Sequence, residues 1–279
     1  MSSSITSNLK IFLEETYRKY HREEFINPDP LSRVRKYPVQ KDREVAAFIC
    51  AALALGRVEG ILKACDTVLS AFGEELQETL LQATSKDLSF WFRDFRYRFF
   101  GTVEIVSFLG SLQGVLREYG SLEECFASAY PGRMDDPFDG IEQVFKGMRT
   151  HGTGSWGILL SDPSRGGGMK RWHLFLRWMV REDGVDPGGW TCIPPAALRV
   201  PVDTHLYRWS VGSGFTQRRG IDRTTVEEIT RAFRKVDPND PVRFDFSLSR
   251  LGIHPEVREV EQKNLEKLRE SCHNRSDTQ

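Results

Sequence analysis

The sequence predicts an all-α protein. Apolar residues recur at three- and four-residue spacing through most of the chain, as they do on one face of an α-helix. Almost no segment alternates polar and apolar residues with the period of two that a half-buried strand shows. Stretches rich in Pro, Gly and Asp separate the helical segments. We therefore expect about eight helices or more, packed in one or two lobes.

The predicted helices follow one another along the chain. The first segment covers 42–73 and has a break near Gly56, so it predicts two helices of a buried bundle. Further amphipathic segments lie at 74–83, 102–120, 139–152, 169–182, 224–236 and 255–270. Residues 130–140 and 181–195 are predicted to be loops. We expect 1–270 to form one all-α unit and 271–279, "SCHNRSDTQ", to be a disordered tail.

Composition and charge exclude several classes of protein. The chain has 279 residues with 39 basic and 39 acidic side chains, so it has no net charge with which to coat nucleic acid. No apolar run reaches the length of a membrane span, and the N-terminal segment lacks the apolar core of a signal peptide. We therefore expect a cytoplasmic protein without a membrane partner.

The cysteines do not indicate a metal site. They are Cys50, Cys65, Cys125, Cys192 and Cys272, and no two of them stand at metal-ligand spacing. We interpret them as structural thiols in a reducing compartment and predict no bound metal.

The segment 198–209, "LRVPVDTHLYRW", contains the first candidate functional residue. Pro201 fixes the entry to a short helix over about 204–211, and Asp203 is placed to accept hydrogen bonds from the free N–H groups at its start. Capping alone accounts for most aspartates at such positions. A catalytic role for Asp203 therefore needs a second observation.

A second candidate segment is "SDPSRGGGMKRWHLFLRWMVRE" at 161–182. Three glycines precede a helix that begins near Met169, and free N–H groups beside such a loop suit a phosphate. Four basic residues share one face of this helix: Lys170, His173, Arg177 and Arg181. We expect a basic face that contacts nucleic acid, and the alternative is a face that is only solvated.

Together the two segments resemble a known family. In "GGGMK" a lysine opens a helix after a glycine turn, and the helix start "VDTH" follows further along the chain. This arrangement resembles the helix-hairpin-helix DNA glycosylases of the endonuclease III superfamily, and in detail an uncharacterised bacterial family within it. The resemblance covers about 20–255, with "VPVDTHLYRWSVGSG" as its specific part. It implies a two-lobed multi-helix fold with a degenerate helix-hairpin-helix.

The chain departs from the family's pattern at several places. The hairpin has "SRGGG" in place of Leu-Pro-Gly-Val-Gly. The segment "EDGVDPGGWTCIPPAAL" lengthens the chain between the lysine and the aspartate, and we expect it to loop outward. Ala54, Leu55 and Gly56 stand where members often carry a glutamine that enters the duplex, so another or an apolar wedge is required. The C-terminal region has only Cys272, so we expect no iron–sulfur cluster and no cofactor.

The resemblance implies roles for particular residues. Lys170 would be the nucleophile that forms a Schiff base, and Asp203 the carboxylate that stabilises positive charge on the sugar. The expected DNA contacts are Gly166, Gly167, Gly168, Arg171, Arg177, His205 and Arg208. The candidates for a base pocket are the aromatic residues Phe95, Tyr97, Phe99, Trp172 and Trp209. Asp245 is expected to cap the closing helix.

Three functions remain open. The first is a monomeric DNA repair enzyme, a glycosylase with abasic-site lyase activity that excises a damaged base, such as an oxidised purine, from duplex DNA. The second is a nucleic-acid-binding module on the same fold without chemistry. The third is an all-α interaction scaffold in which Asp203 only caps its helix. Binding to DNA that weakens with salt would separate the first two functions from the third.

Overall fold

The fold is α-helical throughout the residues that the computed structural model describes, which are 3–132, 136–152 and 155–253. Thirteen α-helices and no β-strand occur in this part of the chain, so the all-α prediction is confirmed. The helices are α1 (Ser3–Tyr20), α2 (Leu31–Val34), α3 (Gln40–Leu53), α4 (Val58–Ser70), α5 (Leu76–Gln82), α6 (Ser85–Trp91), α7 (Thr102–Tyr119), α8 (Leu122–Ala127), α9 (Phe138–Thr150), α10 (Lys170–Val180), α11 (Thr204–Gly212), α12 (Arg223–Arg234) and α13 (Asp245–Ile253).

Most of the predicted helices are present. The break predicted near Gly56 separates α3 from α4, and the later segments correspond to α5, α7, α9, α10 and α12. Periodicity did not indicate α1, α2, α6 or α8. Helix α6 begins with a capping box in which Thr84 and Asp87 exchange hydrogen bonds, a signal that the sequence does contain. The helix predicted at 255–270 and the tail at 271–279 lie outside the described residues.

Helix α3 forms the centre of the core. All residues of 45–53 are buried, because the segment "VAAFICAAL" is apolar on every face. The helix packs against α2, α4, α5 and α10. The Phe48 ring lies against Phe108, Trp172 and Phe175, with ring centroids 5.1 to 5.6 Å apart. Helix α3 therefore links the N-terminal helices to α10.

Helix α10 is buried on both sides, which corrects the prediction of a basic face in contact with nucleic acid. His173, Arg177 and Arg181 are buried, and of the four basic residues on this face only Lys170 is partly exposed. A guanidinium group inside a protein needs anionic partners, because an unpaired buried charge is costly. The arginines of this face therefore contact carboxylates of the chain itself.

Arg177 is shared by two aspartates. Its Nε and Nη2 donate to Asp186 Oδ1 (3.1 and 2.9 Å), and its Nη1 donates to Asp245 Oδ2. Burial acts to lower the pKa of the guanidinium, but the two carboxylates raise it above its usual range. Arg177 therefore stays charged inside the core.

Arg181 makes a similar set of ion pairs one turn later. It donates to Asp240 (2.8 Å), to Asp183 (2.8 Å) and to Asp186, which also accepts from Arg177. The three carboxylates outweigh the effect of burial and hold the pKa of Arg181 above its usual range. The shared Asp186 joins the two arginines into one network.

The inserted segment 182–198 packs inward, which corrects the prediction that it loops outward. Val185 and Asp186 are fully buried within it. Trp190 is also buried, and its Nε1 donates to Glu44 of α3 (2.7 Å). The segment therefore connects the end of α10 to α3 and contributes to the core.

Glu44 holds three parts of the fold together from a buried position. Its carboxylate accepts the backbone N–H groups of Leu122 (2.9 Å) and Glu123 (3.0 Å) at the start of α8, and Trp190 Nε1 (2.7 Å) from the inserted segment. Burial raises the pKa of Glu44 to about 7, although these hydrogen bonds favour the charged form. The side chain thus fixes α8 and the inserted segment to α3.

The length of the helices and the state of the cysteines can be compared with two expectations from the sequence, that the protein has no membrane span and that its thiols are structural. None of the helices in the described part of the chain is long and apolar enough to cross a membrane. Cys50, Cys65 and Cys125 are free buried thiols, and Cys192 is a free, half-buried one. Their burial agrees with a structural role, and Cys272 lies outside the described residues.

Replacing Glu44 with alanine is expected to lower the free energy of unfolding by about 2 to 4 kcal/mol, because three buried donors lose their acceptor. Urea denaturation followed by circular dichroism measures this change. Glu59→Ala is the control, since Glu59 is exposed on α4, and its effect should stay within about 0.5 kcal/mol. A Glu44 variant as stable as the wild type would contradict the role assigned to these hydrogen bonds.

Candidate active site

Lys170 and Asp203 face each other in a cleft. Lys170 Nζ lies 4.0 Å from Asp203 Oδ2, and the side chains are 40 % and 30 % exposed. Both residues line a cavity of about 510 Å³ that opens to the surface. A solvent-exposed ion pair adds only about 1 kcal/mol or less to stability. The pair is therefore not needed to hold the fold, and both groups are accessible to a ligand.

Asp203 uses its two carboxylate oxygens for different partners. Oδ1 accepts the N–H of Leu206 (2.8 Å), so Asp203 is the N-cap of α11, as the sequence predicts. Oδ2 is the oxygen closest to Lys170. The buried Pro201 and Val202 lead the chain along the wall of the cleft to this point. Capping and a role in the site are compatible because each uses a separate oxygen.

Lys170 is the first residue of α10, and the residue before it has a strained backbone. Met169 has a φ of 45°, in the left-handed region that residues other than glycine rarely adopt. Its side chain is buried, and this packing holds the backbone in place. Such strain occurs more often at functional sites than elsewhere, which is consistent with a special position for Lys170.

The three glycines before Lys170 pack against the segment that leads into α12. The C=O of Gly166 accepts the N–H of Arg223 (2.9 Å). A Cβ on Gly168 would lie 2.7 Å from Ile221 Cγ2, so this position requires glycine for a close approach. Gly166 and Gly167 remain exposed to solvent. Gly168 therefore serves packing, whereas Gly166 and Gly167 are open to a ligand.

The floor of the cleft carries a buried ion pair that the sequence did not indicate. Arg177 and Asp245 both line the cavity. Burial raises the pKa of Asp245 to about 6, Arg177 lowers it, and Asp203 raises it further. The sequence predicts Asp245 as a helix cap, but in the structure it is the first residue of α13 and its carboxylate accepts the Arg177 side chain.

The walls of the cleft are apolar and its rim is polar. The apolar wall residues are Leu55, Val58, Ile61, Leu174 and Ile221. At the rim His205 is exposed, and Asp29, which also lines the cleft, accepts a hydrogen bond from the buried Arg250 Nη2 (2.5 Å). An apolar wall with a few converging polar groups is typical of a small-molecule site.

Of the side chains predicted to bind DNA, some are exposed to solvent and others already bind groups of the protein itself. His205 and Arg208 are exposed. Arg171 donates to two backbone C=O groups (3.1 and 2.5 Å), and burial lowers its pKa to about 10. Arg177 is buried in its ion pairs. The structure therefore gives Arg171 and Arg177 internal partners, which argues against phosphate contacts by these two residues.

The five aromatic residues predicted to form a base pocket do not line the cleft. Phe95, Trp172 and Trp209 are buried in the core. Tyr97 and Phe99 lie in a turn beside the cleft. Among the described residues that line the cleft there is no Phe, Tyr or Trp. A base in this cleft would contact aliphatic and charged side chains.

The turn that contains Tyr97 and Phe99 lies against the mouth of the cleft. The backbone groups of Tyr97 and Phe100 exchange hydrogen bonds of 2.9 and 2.8 Å, and Arg98 has a φ of 52°. Tyr97 Oη donates to the C=O of Leu55 (2.5 Å), which attaches the turn to a wall of the cleft. Phe99 at the tip is 72 % exposed, and the Arg98 guanidinium lies 5.4 Å from its ring centroid.

Further exposed apolar side chains lie close to Phe99 in the sequence. They are Phe90, Trp91 and Val103. The guanidinium of Arg93 lies 4.5 Å from the ring centroid of Phe90. The segment "FWFRDFRYRFFG" alternates aromatic residues with arginines, which is the signal for this surface in the sequence. Clustered exposed apolar residues are typical of a contact with a partner.

One group of side chains in the described part of the chain has ligand types that bind metal ions: His21, Asp183 and Asp186. Arg181 already pairs with both aspartates. His21 Nε2 lies 2.9 Å from Asp183 Oδ2. A guanidinium therefore supplies the positive charge that this cluster needs, and the donor set fits Arg181 better than a metal ion.

The fold and the site define an all-α protein with a lysine–aspartate pair in an open cleft. Over residues 29–254 the chain matches the family described as "Protein of unknown function (DUF2400)", and it belongs to that family. The match includes every residue that lines the cleft except Pro28. No curated protein and no solved structure matches the chain significantly.

Asp203→Ala is expected to lower the free energy of unfolding by about 1 kcal/mol, because α11 loses its N-cap. Asp203→Asn should change it by less than about 0.5 kcal/mol, since asparagine caps equally well. Urea denaturation measures both values. Ser121 caps α8 through the N–H of Glu124 (3.0 Å) and does not line the cleft, so Ser121→Ala is the control for cap loss. Equal losses for the Ala and Asn variants of Asp203 would show that its fold contribution is not a cap.

Proposed function

We propose that the protein is a DNA repair glycosylase with abasic-site lyase activity, in which Lys170 is the nucleophile and Asp203 the stabilising carboxylate. The observation that carries this proposal is the 4.0 Å approach of Lys170 Nζ to Asp203 Oδ2 in an open cleft. The two residues come from separate segments of the chain. The sequence resemblance assigns roles to both without reference to their distance, so it supports the proposal independently.

The arrangement suits cleavage of an N-glycosidic bond. The neutral amine of Lys170 attacks C1′ of the damaged nucleotide, and the bond from C1′ to the base breaks, so that the base leaves with the electron pair and takes up a proton. Positive charge develops on the sugar in the transition state, and the Asp203 carboxylate stabilises it. The bound nitrogen loses a proton, its electron pair then forms the C1′=N bond of a protonated Schiff base, and the C1′–O4′ bond breaks with uptake of a proton at O4′. Removal of a proton from C2′ then expels the 3′ phosphate.

The size and lining of the cleft suit one extruded nucleotide. A volume of about 510 Å³ lies within the usual range for small-molecule sites. A base in a duplex must leave the stack before an enzyme can reach its glycosidic bond. The polar groups of Arg177 and Asp245 lie on the floor, and the walls are aliphatic. This lining favours a base with many polar groups on its edge, such as an oxidised purine.

Exposed cations near the cleft supply phosphate contacts. His205 and Arg208 lie on α11, and Arg57 follows Gly56 at the mouth of the cleft. Local cations can hold the DNA backbone although the whole chain has no net charge. We include in the proposal the architecture that the resemblance implies, which is two helical lobes and a degenerate helix-hairpin-helix before Lys170.

We assign the DNA wedge to Phe99 and Leu55. A side chain that enters the duplex can fill the space that an extruded base leaves. Phe99 is 72 % exposed, and its turn is attached to Leu55 through the Tyr97 hydroxyl. Leu55 stands where the related glycosylases often have a glutamine. An aromatic ring on an anchored turn beside the cleft is well suited to this task.

A second candidate function is a nucleic-acid-binding module without chemistry. The exposed rings of Phe90, Trp91 and Phe99 favour it, because they lie among arginines and need no catalytic lysine to stack on bases. Both candidate functions require binding to DNA that weakens as salt rises. They differ in whether Lys170 forms a covalent bond.

Sodium borohydride trapping is expected to produce a covalent adduct between the wild-type protein and a duplex that carries an abasic site, 8-oxoguanine, uracil or an oxidised pyrimidine. Lys170→Ala should abolish the adduct, because no amine remains to form the Schiff base. Asp203→Asn should lower the rate of base excision by about 100-fold or more, because the developing positive charge loses its carboxylate. Gel electrophoresis of the trapped complex and of the cleaved strand measures both effects.

Lys10→Ala is the control for lysine replacement, since Lys10 is exposed on α1 and does not line the cleft. It should form the adduct as the wild type does. Absence of an adduct on all four duplexes, together with salt-dependent binding, would reject the glycosylase and support the binding module. Full excision activity in Asp203→Asn would reject the assignment of Asp203.

Phe99→Ala is expected to lower excision from a duplex by about 10-fold, whereas excision from a single strand should change by less than about 2-fold. The reason is that a wedge is required only where a stack must be opened. Val103→Ala is the control, because Val103 is exposed to a similar degree, 65 % against 72 %. Equal losses on both substrates, or equal effects of the two variants, would contradict the wedge.

A further inference from the structure

A second and larger cavity lies apart from the cleft. Its volume is about 710 Å³, it opens to the surface, and it shares no lining residue with the cleft. It is formed by α2, the start of α3, the end of α4 and the two segments that join α2 to α3 and α4 to α5. We propose that this cavity binds a small aliphatic amine with two or more ammonium groups. The site does not depend on the function proposed for Lys170 and Asp203.

The lining of this cavity has an excess of negative charge. Its charged residues are the acids Asp42, Asp66, Glu74 and Glu75 and the cations Arg33 and Lys36. Asp66 is neutralised by Arg33, whose Nε and Nη2 donate to its two oxygens (2.9 and 2.8 Å). The other three carboxylates form no ion pair in the part of the chain that the structure describes. A ligand with two positive charges would therefore balance the lining, whereas one lysine side chain of a partner would bring only one.

Asp42 has an unused acceptor although it is almost completely buried. The residue is 3 % exposed and lines the cavity. Its Oδ1 accepts the N–H of Gln77 (2.8 Å) and so caps α5, whose own N-cap residue Glu75 makes no side-chain cap. No described group donates to Oδ2. A buried carboxylate oxygen without a donor is costly, and an ammonium group in the cavity would supply the donor.

The carboxylates of this cavity do not converge on one point, which argues against a metal ion. A metal ion needs several ligand atoms around one centre. Among the described residues, only His21, Asp183 and Asp186 form a group of three such side chains with ligand atoms within 4.8 Å of one another. None of these residues lines the cavity. Carboxylates at separate positions fit ammonium groups that are spaced along a chain.

The rest of the lining suits the aliphatic chain between the ammonium groups. Tyr37, Pro38, Val39 and Leu69 contribute apolar surface, and Val39 is 51 % exposed. Methylene groups gain free energy when they leave water for such a surface. Burial raises the pKa of Tyr37 to about 12, so its phenol stays neutral at pH 7, and the face of its ring can contact an ammonium group. The cavity volume lies within the usual range for small-molecule sites.

Lys36 is the lining cation that acts against an amine ligand. Its side chain is exposed, and it forms no ion pair in the described structure. Its charge repels an ammonium group in the same cavity. Removal of this charge should therefore strengthen binding, whereas removal of a lining carboxylate should weaken it. Damage to the fold would weaken binding in both cases, so the two signs together separate a direct effect from a structural one.

Isothermal titration calorimetry of the full chain tests the ligand class. Diaminobutane is the probe, and aminobutane, with one ammonium group, and butanediol, with none, are the controls. We expect one molecule of diaminobutane to bind per chain and aminobutane to bind about 10-fold more weakly or worse, because it lacks one charged hydrogen-bond donor. Butanediol should not bind. Absence of binding by diaminobutane, or equal binding of the three compounds, would overturn the proposal.

Asp42→Asn removes the buried charge but keeps an amide oxygen that can accept the Gln77 N–H. The affinity for diaminobutane is expected to fall by about 10-fold or more, because a hydrogen bond to a charged group is lost. The double variant Glu74→Gln/Glu75→Gln changes only exposed residues, so it should fold normally. It should weaken binding by about 3-fold. Wild-type affinity in both variants would place the ligand elsewhere and overturn the proposal.

Glu78→Gln is the matched control for the loss of a surface charge. Glu78 is exposed a few residues further along the chain, on α5, and does not line the cavity. Its replacement should leave the affinity unchanged, and an effect as large as that of the double variant would contradict a local site. Lys36→Gln should strengthen binding by about 3-fold, because a like charge is removed. An unchanged or lower affinity in Lys36→Gln would contradict a ligand in this cavity.

Two competitors separate a free amine from other cations. Magnesium chloride and sodium chloride at the same ionic strength are expected to weaken binding equally, since both act only by screening. Stronger displacement by magnesium would show a metal site and reject the amine. A Lys-Lys peptide with blocked ends should bind more weakly than diaminobutane, and tighter binding of the peptide would reject a free amine in favour of a protein segment. None of these outcomes affects the proposed glycosylase, because the two cavities share no lining residue.

Discussion

Two buried arginines and four aspartates lie beneath the cleft and determine its geometry. Arg177 and Arg181 belong to α10, and their partners come from the inserted segment, from the residues before α13 and from the start of α13. Removing one partner of a buried ion pair typically costs about 3 to 5 kcal/mol, because the other charge remains inside the protein. Helix α10 can therefore not rotate without breaking several such pairs, and Lys170 at its first turn is held in place.

The candidate site is built at the N-terminal ends of three helices. Lys170 opens α10, Asp203 caps α11, and Asp245 is the first residue of α13. Free N–H groups and the helix dipole favour negative charge at these ends. The two acidic residues therefore occupy positions that suit their charge, whereas the lysine stands where a cation is not favoured. The same local physics that starts each helix therefore also prepares the chemistry that we propose.

In the proposed function the cleft and the turn at its mouth have different tasks. The cleft has accessible charged groups and aliphatic walls, which suit a single bound nucleotide. The turn presents Phe99 to solvent and is attached to the cleft wall through the Tyr97 hydroxyl. Stacking on such a ring requires no chemistry, whereas the contact between Lys170 and the second carboxylate oxygen of Asp203 is not needed for the helix cap. A covalent bond formed by this lysine is what would distinguish the proposed enzyme from a binding module.

The sequence predicted some elements well and misjudged others for physical reasons. The break near Gly56, the periodic helices and the Asp203 cap depend on residues a few positions apart, and they were predicted. The basic face of α10 was predicted to contact nucleic acid from the charges of that helix alone. The aspartates that pair with Arg177 and Arg181 inside the protein lie elsewhere in the chain. The inserted segment was predicted to loop outward so that the starts of the two flanking helices stay intact, but the contact of Trp190 with Glu44 lets it pack inward with both starts preserved.

The sequence by itself determined most of the longer helices, the Asp203 cap and the resemblance that singles out Lys170 and Asp203. Helix formation and capping act within one or two turns, so neighbouring residues contain the necessary information. Only the tertiary structure decided that Lys170 and Asp203 meet at 4.0 Å, that Asp245 lies below them and that most of the predicted aromatic pocket belongs to the core. Burial and ion pairing join residues that are far apart in the chain, and composition and periodicity do not contain their distances.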